Sequence, residues 1–406
     1  MKNIYNCIVV GGGASGFFFA INYAENHPGH SVLILEKSKN VLQKVKISGG
    51  GRCNVTHAEF EPKPLTTHYP RGEKELIGPF HTFMTGDMMA WLEERGVELK
   101  IEDDGRIFPV TDSSQTIIDC FTSEAERLGV SLKTSANVLS FEYLDKIWQI
   151  LTKNETYFAK QLVISTGSSK KIWEQLAKLG HTIVEPVPSL FTFNIDYPQL
   201  TKLQGLSLNT HIKLYKDQAC KSFLMESDGA TLITHWGLSG PCVLKLSAWG
   251  AIDLNAINYH CFIKVNWLPN YSDEEISREL HQLKQNAAKK KISNQVIFDL
   301  PKRFWQFMLD EARVNLDKNW ADVSKKDEKE LSEQLTRFKL EVNGKSTFKE
   351  EFVTAGGVDL KEIDFKTYSS KKLPHLKIIG EALNIDAITG GFNFQSAWTS
   401  GFLAAR

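Results

Sequence analysis

Tyr5-Asn6-Cys7-Ile8-Val9-Val10-Gly11-Gly12-Gly13-Ala14-Ser15-Gly16 is the stretch that decides the fold. An apolar run enters a glycine turn with G-x-G-x-x-G spacing. A helix-forming segment follows from Ala14 to Glu25, and then a second apolar run, Ser31-Val32-Leu33-Ile34-Leu35. Strand, tight turn, helix and strand make a βαβ unit, and Pro28-Gly29 supplies the break that ends the helix. In such a unit the first glycine permits the turn, the second lets backbone approach a pyrophosphate, and the third lets helix and strand pack closely. The unpaired N–H groups and the dipole at the helix start attract the anion. Gly11, Gly13, Ala14, Ser15 and Gly16 are therefore candidate dinucleotide contacts. Glu36 ends the second strand, with Lys37 beside it. Its carboxylate is placed to accept from ribose hydroxyls, and its charge disfavours the 2′-phosphate of NADP. A purely structural turn with an exposed Glu36 is the competing reading; spacing, βαβ context and acid together outweigh it.

Two further glycine turns carry the argument. Lys44, Lys46 and Ser48-Gly49-Gly50-Gly51-Arg52-Cys53-Asn54 form a loop with cations on both sides, able to bring backbone donors and a guanidinium to a ligand. A flexible surface loop is the alternative. Cys53 has no second cysteine nearby, so a disulfide relay is not favoured. Near the C-terminus, Ile379-Gly380-Glu381 closes a strand, and Thr389-Gly390-Gly391-Phe392-Asn393-Phe394 leads into a helix from Gln395 to Ala405. If that helix start faces the pyrimidine edge of a flavin, it stabilises the charge that develops on reduction by about 0.3–1 kcal/mol. A helix that only completes the sheet is the plainer alternative.

The 406 residues suggest about two to three domains. With 42% hydrophobic and 24% charged residues, the composition is that of an ordinary folded protein. Lys plus Arg and Asp plus Glu both number 48, so no global field gathers a polyanion, and nucleic acid is not favoured as a partner. Lys289-Lys290-Lys291 and Lys325-Lys326 read as solvated helix faces. Six scattered cysteines without a CxxC pair or a Cys/His cluster give no metal site and fit a reducing cytoplasm. No secretion signal or membrane span is evident.

The chain reads as a first lobe to about Pro188, then short β-prone runs from Leu190 to about Trp267, then helical patterns from Ser272 to Leu335. It re-enters the first lobe near Thr354-Ala355-Gly356-Gly357. The expected fold class is α/β, with 1–189 and 355–406 as a discontinuous dinucleotide-binding domain. Residues 190–270 and 338–354 form a β-barrel-like domain, and 271–337 a helical insert.

These motifs, with Gly237-Leu238-Ser239-Gly240-Pro241, resemble the bacterial HI0933-like flavoprotein family over nearly the whole chain. The S-G-G-G-R-C-N and T-G-G-[FY]-N-F-Q elements carry the resemblance. It implies a glutathione-reductase-like FAD domain interrupted by the barrel-like domain with its insert. It also implies that Glu36 holds the adenosine ribose, that Val138 lies beside the adenine, and that Thr166-Gly167 form a second FAD-side turn. The Gly49–Asn54 loop and the Gly390–Phe394 turn would flank the isoalloxazine, with Glu381 near the ribityl and pyrophosphate. One departure is visible: Ser165-Thr166-Gly167-Ser168-Ser169-Lys170-Lys171 replaces the longer stretch that follows A-T-G-G in relatives.

The leading functional expectation is an FAD-dependent oxidoreductase exchanging a hydride with a small organic substrate, NAD(P)H serving as a transient donor because only one G-x-G-x-x-G is present. An amine oxidase that discharges to oxygen and a flavin-binding regulatory or RNA-modification accessory protein are the alternatives. Arg52, His57 and His235 are candidates for acid–base work, without a catalytic assignment, and oligomeric state is not readable.

Overall fold

The computed structural model describes residues 4–346 and 353–406. Two compact units emerge, Met1–Pro188 with Lys349–Arg406, and Ser189–Phe348. The N-terminal part of the first supplies β1 (Ile4–Val10), α1 (Ala14–Asn26), β2 (Val32–Leu35), α2 (Gln43–Gly51) and β3 (Thr156–Ile164). The second contains β4 (Ser207–Tyr215), β5 (Phe223–Thr234), β6 (Cys261–Asn266) and β7 (Phe338–Val342). The chain then completes the first unit with β8 (Leu376–Ile378) and α3 (Phe392–Ala404).

The first unit is a Rossmann-type α/β fold. The parallel part of its sheet runs β8-β3-β1-β2 and ends on the strand Ser131–Lys133, with Val10 opposite both Leu35 and Ile164, and Ile378 opposite Ile164; two short antiparallel strands, Ile363–Asp364 and Ser369–Ser370, extend it beyond β8. A strand delivered by the C-terminal segment thus extends a sheet begun by the N-terminal one. Parallel strands covered on both faces read as unbroken apolar runs, and Cys7 to Val10, Val32 to Leu35 and Leu162 to Ile164 are all buried. The meander Val138–Leu144 and Ile147–Thr152 joins β3 antiparallel.

α1 has no polar face: Phe17, Phe18 and Phe19 are all buried, each contributing about 1.5–3 kcal/mol. Such a helix must be covered all round, and α3 covers one side. The two backbones come together at Gly401, where a Cβ would lie 3.0 Å from the Ser15 carbonyl oxygen. Phe18 also packs against Trp398 and Trp91, with ring centres 5.5 and 4.8 Å apart. The stretch from His57 to Phe80, which shows no periodic pattern, contains two short helices, Pro62–Thr66 and Glu73–Phe80.

In the second unit, seven strands follow one linear order in which β7, β6, β4 and β5 are neighbours. Among the described residues the sheet does not close, so the barrel-like expectation takes the form of an open antiparallel sheet. Helices Asp273–Asn286, Lys302–Glu311 and Lys325–Arg337 share a single core with it, including Trp267, Phe304, Trp305 and Trp320. Ser272 caps the first of these helices in a capping box with Glu275.

Candidate functional site

The three glycines of the N-terminal fingerprint have different neighbours. Gly11 sits at φ +111°, and a Cβ on it would lie 2.3 Å from the Ser165 carbonyl oxygen. A Cβ on Gly16 would lie 2.2 Å from the carbonyl oxygen of Gly11. Backbone cannot yield to such contacts, so these two glycines are required for α1 to sit on β1 and β3. Around Gly13 nothing lies within 4 Å of a Cβ position, and no side chain caps the helix that starts beside it. The turn is therefore closed behind and open in front.

Glu36 locks this turn from the side. One carboxylate oxygen accepts from the Gly12 N–H at 2.8 Å and the other from the Ser38 N–H at 2.8 Å. Each oxygen keeps a lone pair for a ribose hydroxyl. Lys37 next to it is exposed. The chain approaching Val138 runs along the end of β2, with Ala136 N–H donating to the Glu36 carbonyl at 2.8 Å; Val138 itself is buried. Ser15 and Ser165 share a buried hydroxyl–hydroxyl bond of 2.9 Å. The Thr166 hydroxyl is buried without a hydrogen-bond partner, which in a folded protein calls for an absent ligand or water.

The C-terminal segment closes onto the same turn. Gly380 sits where a Cβ would meet the Ser15 hydroxyl at 2.5 Å, and its N–H donates to Ser400 at 3.1 Å. Glu381 pairs with Lys44, and a Cβ on Gly167 would lie 3.5 Å from that carboxylate. Lys44, Thr166-Gly167 and Gly380-Glu381 are thus brought to one place beside the fingerprint.

Side chains hold the start of α3. Gly390 and Gly391 take φ +131° and +96°, and no side chain caps the helix. A Cβ on Gly391 would strike the Thr56 carbonyl carbon at 2.7 Å. Thr56 donates to Gln395 at 2.6 Å, inside the core. The His57 Nδ1 lies 3.1 Å from the Gly390 carbonyl oxygen; since a carbonyl can only accept, Nδ1 carries the proton. Phe392 is buried, stacked under His68 at 4.0 Å and touched by His57 at 4.6 Å. Its carbonyl accepts from Tyr69 at 2.6 Å. Phe392 can therefore offer a ligand its backbone rather than its ring. Asn393 bonds both polar groups of Ala387, and Phe394 stacks on Trp398 at 5.4 Å. Arg71 and Asp386 form a bidentate pair whose carboxylate is 1% exposed.

The second glycine loop is partly helical. α2 begins at Gln43 with Val45 buried beneath it, and the helix breaks at Ser48, Gly49 and Gly50. Gly50 and Gly51 face open space, whereas a Cβ on Gly49 would meet Phe108 at 2.8 Å. Arg52 lies over the Phe108 ring at 3.9 Å and pairs with Glu102 at 2.6 Å. Its guanidinium is thereby engaged within the protein. Cys53 is buried at φ +61°, and burial pushes its thiol up to about 12, so it holds no thiolate near neutrality. Asn54 accepts from Ile107 N–H at 3.3 Å. His235 lies in the second unit, edge-on to Trp236, beside an open cavity of about 530 Å³ that Tyr197 and Asn343 also line.

Sequence reading did not find His68, Tyr69, the Arg71–Asp386 pair, or the bond between Thr56 and Gln395. The two members of each bond lie more than 300 residues apart, and nothing local to either member announces its partner. No helix among the described residues is long and apolar enough to cross a membrane.

A parallel sheet, a fingerprint turn open in front, an acid at the second strand and an unpartnered hydroxyl fit a dinucleotide, and the class they define is that of the FAD-dependent oxidoreductases with a Rossmann domain. The chain belongs to the HI0933-like family: the model described as the HI0933-like protein Rossmann domain matches residues 5–406. It is 29% identical over 98% of its length, and 97% of the relative's, to the ribosomal RNA dihydrouridine synthase of Haemophilus influenzae. The protein of that name from Escherichia coli K12 is 27% identical over 99% of this chain and 97% of its own. A 3-dehydro-bile acid delta(4,6)-reductase of Clostridium scindens is 23% identical over 98% of this chain and 97% of its own. Among solved structures, the 3-ketosteroid-delta4-(5alpha)-dehydrogenase of Rhodococcus jostii RHA1 shares the fold at a TM-score of 0.50 and 12% identity, covering 100% of this chain and 98% of that one.

Proposed function

We propose that this protein is an FAD-dependent reductase of carbon–carbon double bonds conjugated to a carbonyl, with a uracil base of RNA as its substrate. One chemical fact joins the relatives' names. Dihydrouridine is uridine with its C5–C6 bond saturated, and that bond is conjugated to the C4 carbonyl. A delta(4,6)-reductase acting on a 3-dehydro bile acid meets the same arrangement in a steroid ring. The two relatives named for RNA are the more similar of the three, at 29% and 27% identity against 23%, and this favours the uracil substrate. The balanced charge that argued against nucleic acid speaks to the whole chain and leaves local surfaces open.

FAD supplies hydride chemistry at N5. In this reading Gly11, Gly13, Ala14, Ser15 and Gly16 receive the pyrophosphate at the uncapped start of α1. Glu36 and Lys37 lie by the adenosine ribose, Val138 by the adenine, and Thr166, Gly167, Gly380, Glu381 and Lys44 along the middle of the cofactor. Residues Ser48 to Asn54 and Gly390 to Phe394 border the flavin. The observation that carries the reading is the second uncapped helix start, at Gly391. Its first-turn N–H groups favour negative charge at the ring edge they face, which favours the reduced state. His57, with its proton on Nδ1, holds the Gly390 carbonyl and so fixes the turn.

NADH or NADPH serves as electron donor in this reading, binding transiently because the single fingerprint is taken by FAD. Anaerobic mixing of the purified protein with each nicotinamide should bleach the flavin, and unmodified ribosomal RNA should restore its colour with formation of dihydrouridine. Bleaching by simple amines and recovery only with oxygen would instead favour the oxidase.

A further inference from the structure

The outer face of the second unit's sheet carries an arrangement that stability does not explain. Its inner positions, Ile212, Leu214, Ile263, Val265, Leu340 and Val342, are buried in the core. On the outer side, Lys213 of β4, Lys264 of β6 and Lys339 of β7 stand directly opposite one another across three neighbouring strands. Strands lie about 4.8 Å apart, and like charges directly opposite are destabilising. No acidic side chain pairs with Lys264 or Lys339 among the described residues. Lys213 lies 3.5 Å from Glu226, which ends this row on β5. The row beside it is aromatic: Phe223 of β5, Tyr215 of β4 and Phe262 of β6 are again direct neighbours, followed by Glu341 on β7. Phe223 is 52% exposed, and its ring lies 5.9 Å from that of Tyr215. The rows are linked, with Lys264 5.6 Å from the Tyr215 ring and Lys339 5.3 Å from Phe262. Lys339 also donates to the Gln218 carbonyl.

A row of cations beside an exposed aromatic ring is what single-stranded nucleic acid needs, since phosphates follow the charges and an unstacked base settles on the ring. We propose that this face binds a single-stranded segment of RNA, with its backbone along Lys213, Lys264 and Lys339 and a base on the exposed ring of Phe223, which stands edge-on to Tyr215. Glu226 closes the lysine row on β5 and Glu341 the aromatic row on β7, so acids stand at the ends of the track. The choice of RNA rests on the uracil reading above; the platform rests on its own geometry.

The test is filter binding of a short uridine-containing single-stranded RNA to the FAD-loaded protein over a salt series. Reversal of all three lysines (K213E, K264E, K339E) should weaken binding at least tenfold and flatten the slope of log K against log salt by about 2, since each phosphate contact adds about 0.7. Phe223→Ala should weaken binding about fivefold or more, with the salt slope unchanged. Bound FAD and nicotinamide-driven bleaching should be unaltered in both. Unchanged affinity in both variants, or no binding by the parent protein, would overturn the proposal. Lysine-dependent binding without dihydrouridine formation would leave this face standing and remove the uracil reading.

Discussion

Two glycine turns open the helices that lie side by side in the first unit, and they are held in different ways. At the start of α1, Gly11 and Gly16 press backbone on backbone, within 2.3 and 2.2 Å of carbonyl oxygens for any added Cβ. At the start of α3, Gly391 also presses on the Thr56 backbone, but side chains from distant segments add to the holding: Thr56 with Gln395, His57 with Gly390, and Tyr69 with Phe392, beside the Arg71–Asp386 pair. The first is made largely of backbone, with Ser165 at the end of β3 as the partner of Gly11. The second adds side-chain bonds that exist only after the chain ends have met, so the turn at α3 depends on particular side chains more than the turn at α1.

The sharpest break of this contrast is Asp386→Ala. It removes the buried carboxylate that Arg71 binds through two nitrogens, and urea unfolding should show a loss of about 3–5 kcal/mol; a loss below 1 kcal/mol would mean that side chains do not hold this turn. Gly16→Ala should cost about 3 kcal/mol through backbone overpacking, read by the same method, and a silent substitution would show that α1 can shift away from β3.

Acid provides a third probe, because the C-terminal segment is also tied down by Glu362. Burial works against its charge, but hydrogen bonds from Lys372, Thr182 and His181 prevail and hold it at about 2. A carboxylate lowered in the folded state contributes stability that is complete above its ordinary value of about 4.3 and is lost as pH falls towards 2. Glu362→Gln should remove an acid-dependent component on the order of 2–3 kcal/mol from melts between those limits. Smaller again, Gln395→Leu leaves the buried Thr56 hydroxyl without its acceptor and should cost about 1–3 kcal/mol.

The same contrast decides what the sequence reveals. Strand, fingerprint, α1 and β2 are continuous, and their apolar runs and glycine spacing identify them without coordinates. The pairing of β8 with β3 is foreshadowed by the apolar run at Leu376 and the motif that follows it. Arg71 with Asp386 is not, because nothing around either residue announces a partner 315 positions away. α2 was hidden for another reason: Ser48-Gly49-Gly50-Gly51 reads as loop, yet Val45 buries itself and winds the preceding turn into helix. Likewise Arg52 reads as a ligand-facing cation, whereas Glu102 and Phe108, fifty and more positions on, engage it.

Within one fingerprint the labour divides: Gly11 and Gly16 serve the fold, and Gly13 faces open space, where we propose that the cofactor approaches. Calorimetric titration of FAD into the apoprotein and into Gly13→Val, with a thermal melt of each, tests it most directly. The expected result is one FAD per parent chain, binding weakened at least tenfold in the variant, and apoprotein melts that coincide within a few degrees. Equal affinity in the two proteins, or a parent chain that takes up no FAD, would contradict it.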